Sequence, residues 1–193
     1  MPRPPADVAA VRARMVDEAE RMLVESGGRR LVLSDLARRV GMSQSYAHRF
    51  FPTKADLVRA LAGRWFREVE ARSAEIAALD LPGPERLERW VLALLALKRE
   101  RHDADPAVFE AYLALAADHM DLVGAHTARL TDDLARIVAA FVPADEVEQA
   151  VQVVEDATMP FRVPFAIARF RARATDARAR AVVAALVRAL APG

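Results

Sequence analysis

The stretch GMSQSYAHRFFPTKADL, Gly41 to Leu57, decides how the rest of the chain is read. Its central segment, Gln44 to Phe51, lies between Ser43, which can cap a helix, and Pro52, which ends one. An isolated helix shorter than about 12–15 residues is marginal in water, so neighbouring elements must hold this one. Immediately upstream, Ser34 can cap a short helix, SDLARRV, with Leu36, Ala37 and Val40 facing inward and Gly41 ending it. A helix, a glycine-containing turn of about three residues and a second short helix have the spacing of a helix-turn-helix. Ala47, Phe50 and Phe51 can face the packing. Gln44, Ser45, Tyr46, His48 and Arg49 include the residues left outside. These side chains form hydrogen bonds and contain no carboxylate, which suits a surface meeting phosphates and base edges. Thr53 can cap the next helix, with Lys54 in its first turn. A cation there opposes the helix dipole, so a nearby anion explains it better than helix stability does.

Outward from this stretch, apolar residues recur at helical spacing through the 193-residue chain, and no stretch alternates for long with period two. The reading is all-α, with about nine helices. Asp7 can cap a first helix whose stripe runs from Val8 to Leu23, and Gly27-Gly28 can end it, with Arg29 and Arg30 in the loop. A helix from Lys54 to about Leu79 stops at DLPGP, Asp80 to Pro84. A fifth runs to about Arg101, and Asp105-Pro106 opens a sixth. A seventh, starting near Asp118, extends to about Val142. An eighth begins at Asp145 and is limited by Pro160 with Pro164, and the last begins at Thr175 or Asp176.

Composition narrows the function. Net charge is +1, but residues 1–60 hold 11 Lys and Arg against 7 Asp and Glu, while residues 61–193 hold 17 against 20. A basic head on an acidic body suggests a polyanion-binding end. The absence of cysteine excludes disulfides and thiolate chemistry. The N-terminal sequence has no apolar core of signal-peptide length, and no run approaches 18 uncharged apolar residues, so the expectation is a cytoplasmic, unanchored protein. No glycine-rich phosphate loop or nucleophile elbow is present, and no catalytic residue or cofactor is expected. His119 and His126, seven apart, would share one face of a continuous helix. A zinc site needs three or four converging ligands, so no metal is expected. The arginines of RFRARATDARAR, Arg169 to Arg180, are read as a loop and the exposed face of the last helix.

The segment LSDLARRVGMSQSYAHRFFPTKADLVRAL, with the helix before it, resembles the N-terminal DNA-binding domain of the TetR/AcrR family of bacterial transcriptional regulators, over roughly residues 10–62. Gly41, Ser43, His48, Phe51 and Lys54 correspond to the family's turn glycine, small cap residue, recognition-helix tyrosine, terminal aromatic and phosphate-gripping lysine. The resemblance implies Gln44, Ser45 and Tyr46 as base readers, with Ser34 and Arg49 as further contacts. The chain departs at His48, where tyrosine is usual, and DNA affinity is expected to fall as pH rises through the His48 titration. The resemblance further implies residues 1–53 as the DNA-binding domain and 54–193 as a helical ligand-binding and dimerisation domain. The partners implied are a double-stranded palindromic operator, a second copy of the chain bound through the last two helices, and an apolar small-molecule inducer. Trp65, Trp90, Phe109, Tyr112, His119, Met120 and Phe161 are candidates for the inducer pocket, and each is also readable as an ordinary helix or core position. The resulting expectation is a ligand-responsive repressor. The alternative is a helical ligand-binding or protein-interaction adaptor whose helix-turn-helix no longer reads DNA.

Overall fold

Several helices begin where the capping chemistry of the sequence places them. In the computed structural model, which describes residues 7–27 and 30–191, α1 (Val8–Glu25) begins at Asp7, whose Oδ1 accepts from the backbone N–H groups of Ala9 and Ala10 at 3.0 and 3.2 Å. Gly27, at φ +59°, turns the chain out of α1 in the left-handed region. Gly28 and Arg29, expected in the same turn and loop, lie outside the described residues. Next come α2 (Leu33–Arg39), α3 (Gln44–Ala47), α4 (Lys54–Ala77), α5 (Gly83–Ala104) and α6 (Pro106–Ala117). The chain continues through α7 (Met120–Val138), α8 (Val147–Arg162), α9 (Pro164–Arg169) and α10 (Asp176–Leu190), and no strand occurs among the described residues.

Four expectations are corrected. Ser34 does not cap α2: the cap lies two residues earlier, at Val32, with no side-chain hydrogen bond. The apolar face sets that start, because Leu33 is buried together with Leu36 and Ala37. Pro160 does not limit α8 but lies within it. Its ring removes one N–H donor in the last turn, where the carbonyl left without it belongs to the exposed Asp156. Pro164 does not merely stop a helix. It occupies the first position of α9, where a missing N–H costs nothing, giving ten helices among the described residues rather than about nine. His119 lies ahead of α7, so it shares no helical face with His126.

The chain forms two compact units, one of Met1–Trp65 with Asp105–Leu122, the other of Phe66–Ala104 with Val123–Gly193. The expected division at 53/54 falls within the first unit, which continues along α4 to Trp65 and takes in α6. Its core joins Met15, Ala19 and Leu23 of α1 to Leu36, Ala47, Phe51, Leu57 and Leu61, with Ala111, Tyr112 and Leu115 from α6. The second unit centres on Leu87, Trp90, Val91, Leu94 and Leu95 of α5, packed with Leu134 and Ile137 of α7, Val154 of α8, Ile167 of α9 and Val183 of α10. Within this core Trp90 donates from Nε1 to Ser73 Oγ at 2.8 Å, and Ser73 donates to Asp133 Oδ2 at 2.6 Å. Arg136 also donates to Asp133, so both oxygens of the buried carboxylate are engaged.

Candidate nucleic-acid interface

The opening segment folds as a helix held on both sides. Gly41, at φ +69°, makes the turn after α2, and Ser43 caps α3 by accepting from the Tyr46 N–H at 3.2 Å. Past Ala47 the backbone tightens: Arg49 and Phe50 donate three residues back, to the carbonyls of Tyr46 and Ala47. Ala47, Phe50 and Phe51 are buried, while Gln44, Ser45, His48, Arg49 and Lys54 are exposed. Tyr46 is half-buried, its ring edge-on to Phe50 with centroids 5.1 Å apart. Ser34 is exposed in the first turn of α2.

Sequence reasoning missed two residues of α1 that fix this geometry. Arg12 donates to the Phe50 carbonyl and lies over the Phe51 ring, 4.4 Å from its centroid, fastening the end of the α3 segment. Arg14 donates to the Val40 carbonyl at 3.3 Å, at the end of α2. Both place a cation on the last carbonyls of a short helix, where the backbone dipole favours it. The available signal was their position off the apolar stripe of α1.

Thr53 opens α4 as expected. Its hydroxyl accepts from the Asp56 N–H at 3.1 Å while Asp56 Oδ2 accepts from the Thr53 N–H at 3.1 Å and from the Thr53 hydroxyl at 2.7 Å. The Thr53 hydroxyl, with backbone and Arg59 contributions, holds the Asp56 carboxyl below its ordinary range. The helix start is thus complete without Lys54. Among the described lysines and arginines of the first unit, all form ion pairs except Arg12, Arg14, Arg49 and Lys54. The basic surplus is therefore concentrated around the helix-turn-helix.

His48 has a defined orientation. Its Nδ1 lies 3.1 Å from the Pro52 carbonyl oxygen. A carbonyl only accepts, so Nδ1 carries the hydrogen and Nε2 is the nitrogen available to a partner. In the neutral ring Nε2 has a bare lone pair. Protonation makes it a donor.

The seven pocket candidates fall into both units. In the first, Trp65 stacks on Tyr112 with centroids 4.3 Å apart and meets Phe109 edge-on at 5.5 Å. The Tyr112 hydroxyl donates to Glu20 Oε1 at 2.6 Å, His119 is half-buried and Met120 is exposed. In the second, Trp90 and Phe161 are buried in the core. A second polar feature of that unit was not anticipated: Lys98, 5% exposed, donates to the Arg162 carbonyl at 2.6 Å. Burial, with the charges of Arg162 and Arg101, pushes its pKa down to about 7. A helix C-terminus returns at most about 2 kcal/mol to a cation, whereas desolvating an ion costs several. The sequence signal was a lysine in register with the stripe Trp90, Val91, Leu94 and Leu95.

Comparison with known proteins agrees with this architecture. Residues 15–61 match the model of the bacterial regulatory proteins, tetR family, and residues 83–183 match the tetracyclin repressor-like C-terminal domain. No curated protein matches the chain by sequence. Among solved structures, the TetR family transcriptional regulator PfmR from Thermus thermophilus is similar, with a TM-score of 0.58 at 20% identity, over 93% of this chain and 97% of that one. That likeness is one of fold. The two matched segments together span most of the chain, which belongs to the TetR family of DNA-binding transcriptional regulators.

Proposed function

We propose that the protein is a ligand-responsive repressor, acting in the cytoplasm as a homodimer on a palindromic operator and released by an apolar small molecule. The observation that carries the DNA contact is the group of four cations without ion pairs, Arg12, Arg14, Arg49 and Lys54, around the helix-turn-helix. In this reading Gln44, Ser45 and Tyr46 meet base edges. Ser34, Ser43, His48, Arg49 and Lys54 hold the backbone, with Arg12 and Arg14 as positioning residues. Residues 1–53 read DNA, and residues 54–193 bind the ligand and dimerise. The exposed Val153, Met159 and Val163 of the α8 region support pairing through the last long helices, α8 and α10. The dimer places two α3 segments about one DNA turn, roughly 34–36 Å, apart. Release requires an inducer that binds the DNA-competent and incompetent states with different affinity.

The test is selection of random duplex DNA by the full chain, with anisotropy of the winners at several salt concentrations. A palindrome with half-sites one helical turn apart is expected, and Lys54→Ala should weaken all DNA binding while lowering the salt slope by about one. The commitment of His48 Nδ1 to the chain's own backbone favours a second reading, an adaptor with a degenerate helix-turn-helix. That reading requires no enriched sequence and no effect of Lys54→Ala.

A further inference from the structure

The ion pairs around the α5–α8 contact of the second unit leave two cations over, the buried Lys98 and the half-buried Arg162. Glu68 is engaged by Arg101, and Glu70 by His126 and Arg129. Asp103 is engaged by Arg171, Asp133 by Arg136, and Glu155 accepts from the Thr131 hydroxyl at 2.7 Å. Lys98 and Arg162 form no ion pair with a carboxylate among the described residues. Lys98 holds only the Arg162 carbonyl oxygen, although an ammonium has three donors. Arg162 uses Nε on Thr158 Oγ1 at 2.8 Å and Nη2 on the Glu155 carbonyl at 3.0 Å. Its guanidinium lies over the Trp90 ring, 5.4 Å from the centroid. Two cations withdrawn from water at one helix end repel each other, and the α8 carbonyls offset only part of their burial. An oxyanion held by both would supply the missing charge through charge-assisted hydrogen bonds.

We propose that Lys98 and Arg162 anchor the anionic head, a carboxylate or comparable oxyanion, of the small molecule bound by the second unit. This deepens the ligand-responsive reading and rests on it. An anion that draws the Lys98 ammonium away from the Arg162 carbonyl alters the C-terminal end of α8, so occupancy and helix position are linked. The charged groups facing Lys98 are Arg162 from α8, Arg101 from α5 itself, and His126 of α7 with its α4 partner Glu70. Of these only Glu70 is negative, and it is already shared by His126 and Arg129. Glu155 and Asp156 act on Arg162 from its own helix without forming an ion pair with it.

The experiment compares acetate, benzoate and octanoate with their neutral amides by calorimetry on the full chain at pH 7. At least one acid should bind roughly tenfold tighter than its amide, a difference typical of a charge-assisted contact. Lys98→Met and Lys98→Gln should bring the ratio close to one, with folding checked by circular dichroism. Amides binding as well as acids, or no acid binding at all, would overturn the proposal, and neither result depends on a variant that folds. A preference for acids that survives both substitutions would also overturn it. Operator binding is measured separately without any acid. Its loss with the acid preference intact defeats the regulator reading, whereas intact operator binding without that preference defeats only the anion anchor.

Discussion

At the scale of single residues, His48 shows how one hydrogen bond decides which ring nitrogen can meet a partner. With Nδ1–H committed to the Pro52 carbonyl, the neutral ring offers a phosphate a lone pair, and only the imidazolium offers a donor. The phosphate contact proposed for His48 therefore runs through Nε2. His48→Ala, which removes that nitrogen, should weaken operator binding by roughly three- to tenfold in anisotropy, the worth of about one hydrogen bond, whereas His48→Gln, which keeps a donor, should lose less. Unchanged binding in His48→Ala would remove His48 from the contact. The sequence displayed the substitution but not the orientation, because the bond runs to a backbone carbonyl four residues away whose direction depends on the turn at Pro52.

At the scale of elements, starts were more legible than stops. Asp7, Ser43 and Asp105 each accept a backbone N–H where a cap was expected, and Thr175, one of two expected starts of the last helix, does the same, because a short side chain can satisfy only its own helix's first turn. Ser34 misled because buried Leu33 moved the cap of α2 two residues upstream, and Pro160 misled because the carbonyl it leaves without a donor belongs to exposed Asp156, where water can reach it. The candidate DNA face was legible for the same local reason. Lys98 and the Arg12 and Arg14 clamps were not, since their partners lie 64, 38 and 26 residues away. Glycine behaves unequally between elements. At Gly83, which opens α5, an added Cβ would meet Phe141 Cδ1 at 2.5 Å and the Ile137 carbonyl oxygen at 3.1 Å. Gly83→Ala should cost about 1–3 kcal/mol in denaturant unfolding, through overpacking. Gly124→Ala, in α7 with nothing within 4 Å, should stabilise by roughly 0.5–1 kcal/mol.

At the scale of the whole molecule, the proposed dimer makes a demand on the surface. Met159 and Val163 are 51% and 37% exposed, more apolar area than a helix facing only water needs. Met159→Glu combined with Val153→Glu should weaken self-association at least about tenfold in sedimentation, because burying unpaired carboxylates is costly. Affinity for an isolated half-site should remain. The arginines from Arg169 to Arg180 should matter little to DNA, since Arg171 and Arg180 pair with Asp103 and Glu88. The chain has only two tryptophans, and they are divided between the units: Trp65 lies flat on Tyr112 in the first, while Trp90 is sealed beneath a guanidinium in the second. Each unit thus contains a native fluorophore of its own. With Trp65→Phe the remaining emission reports on the surroundings of Trp90, and with Trp90→Phe on those of Trp65, so the melting of each unit can be followed by colour without attaching a dye.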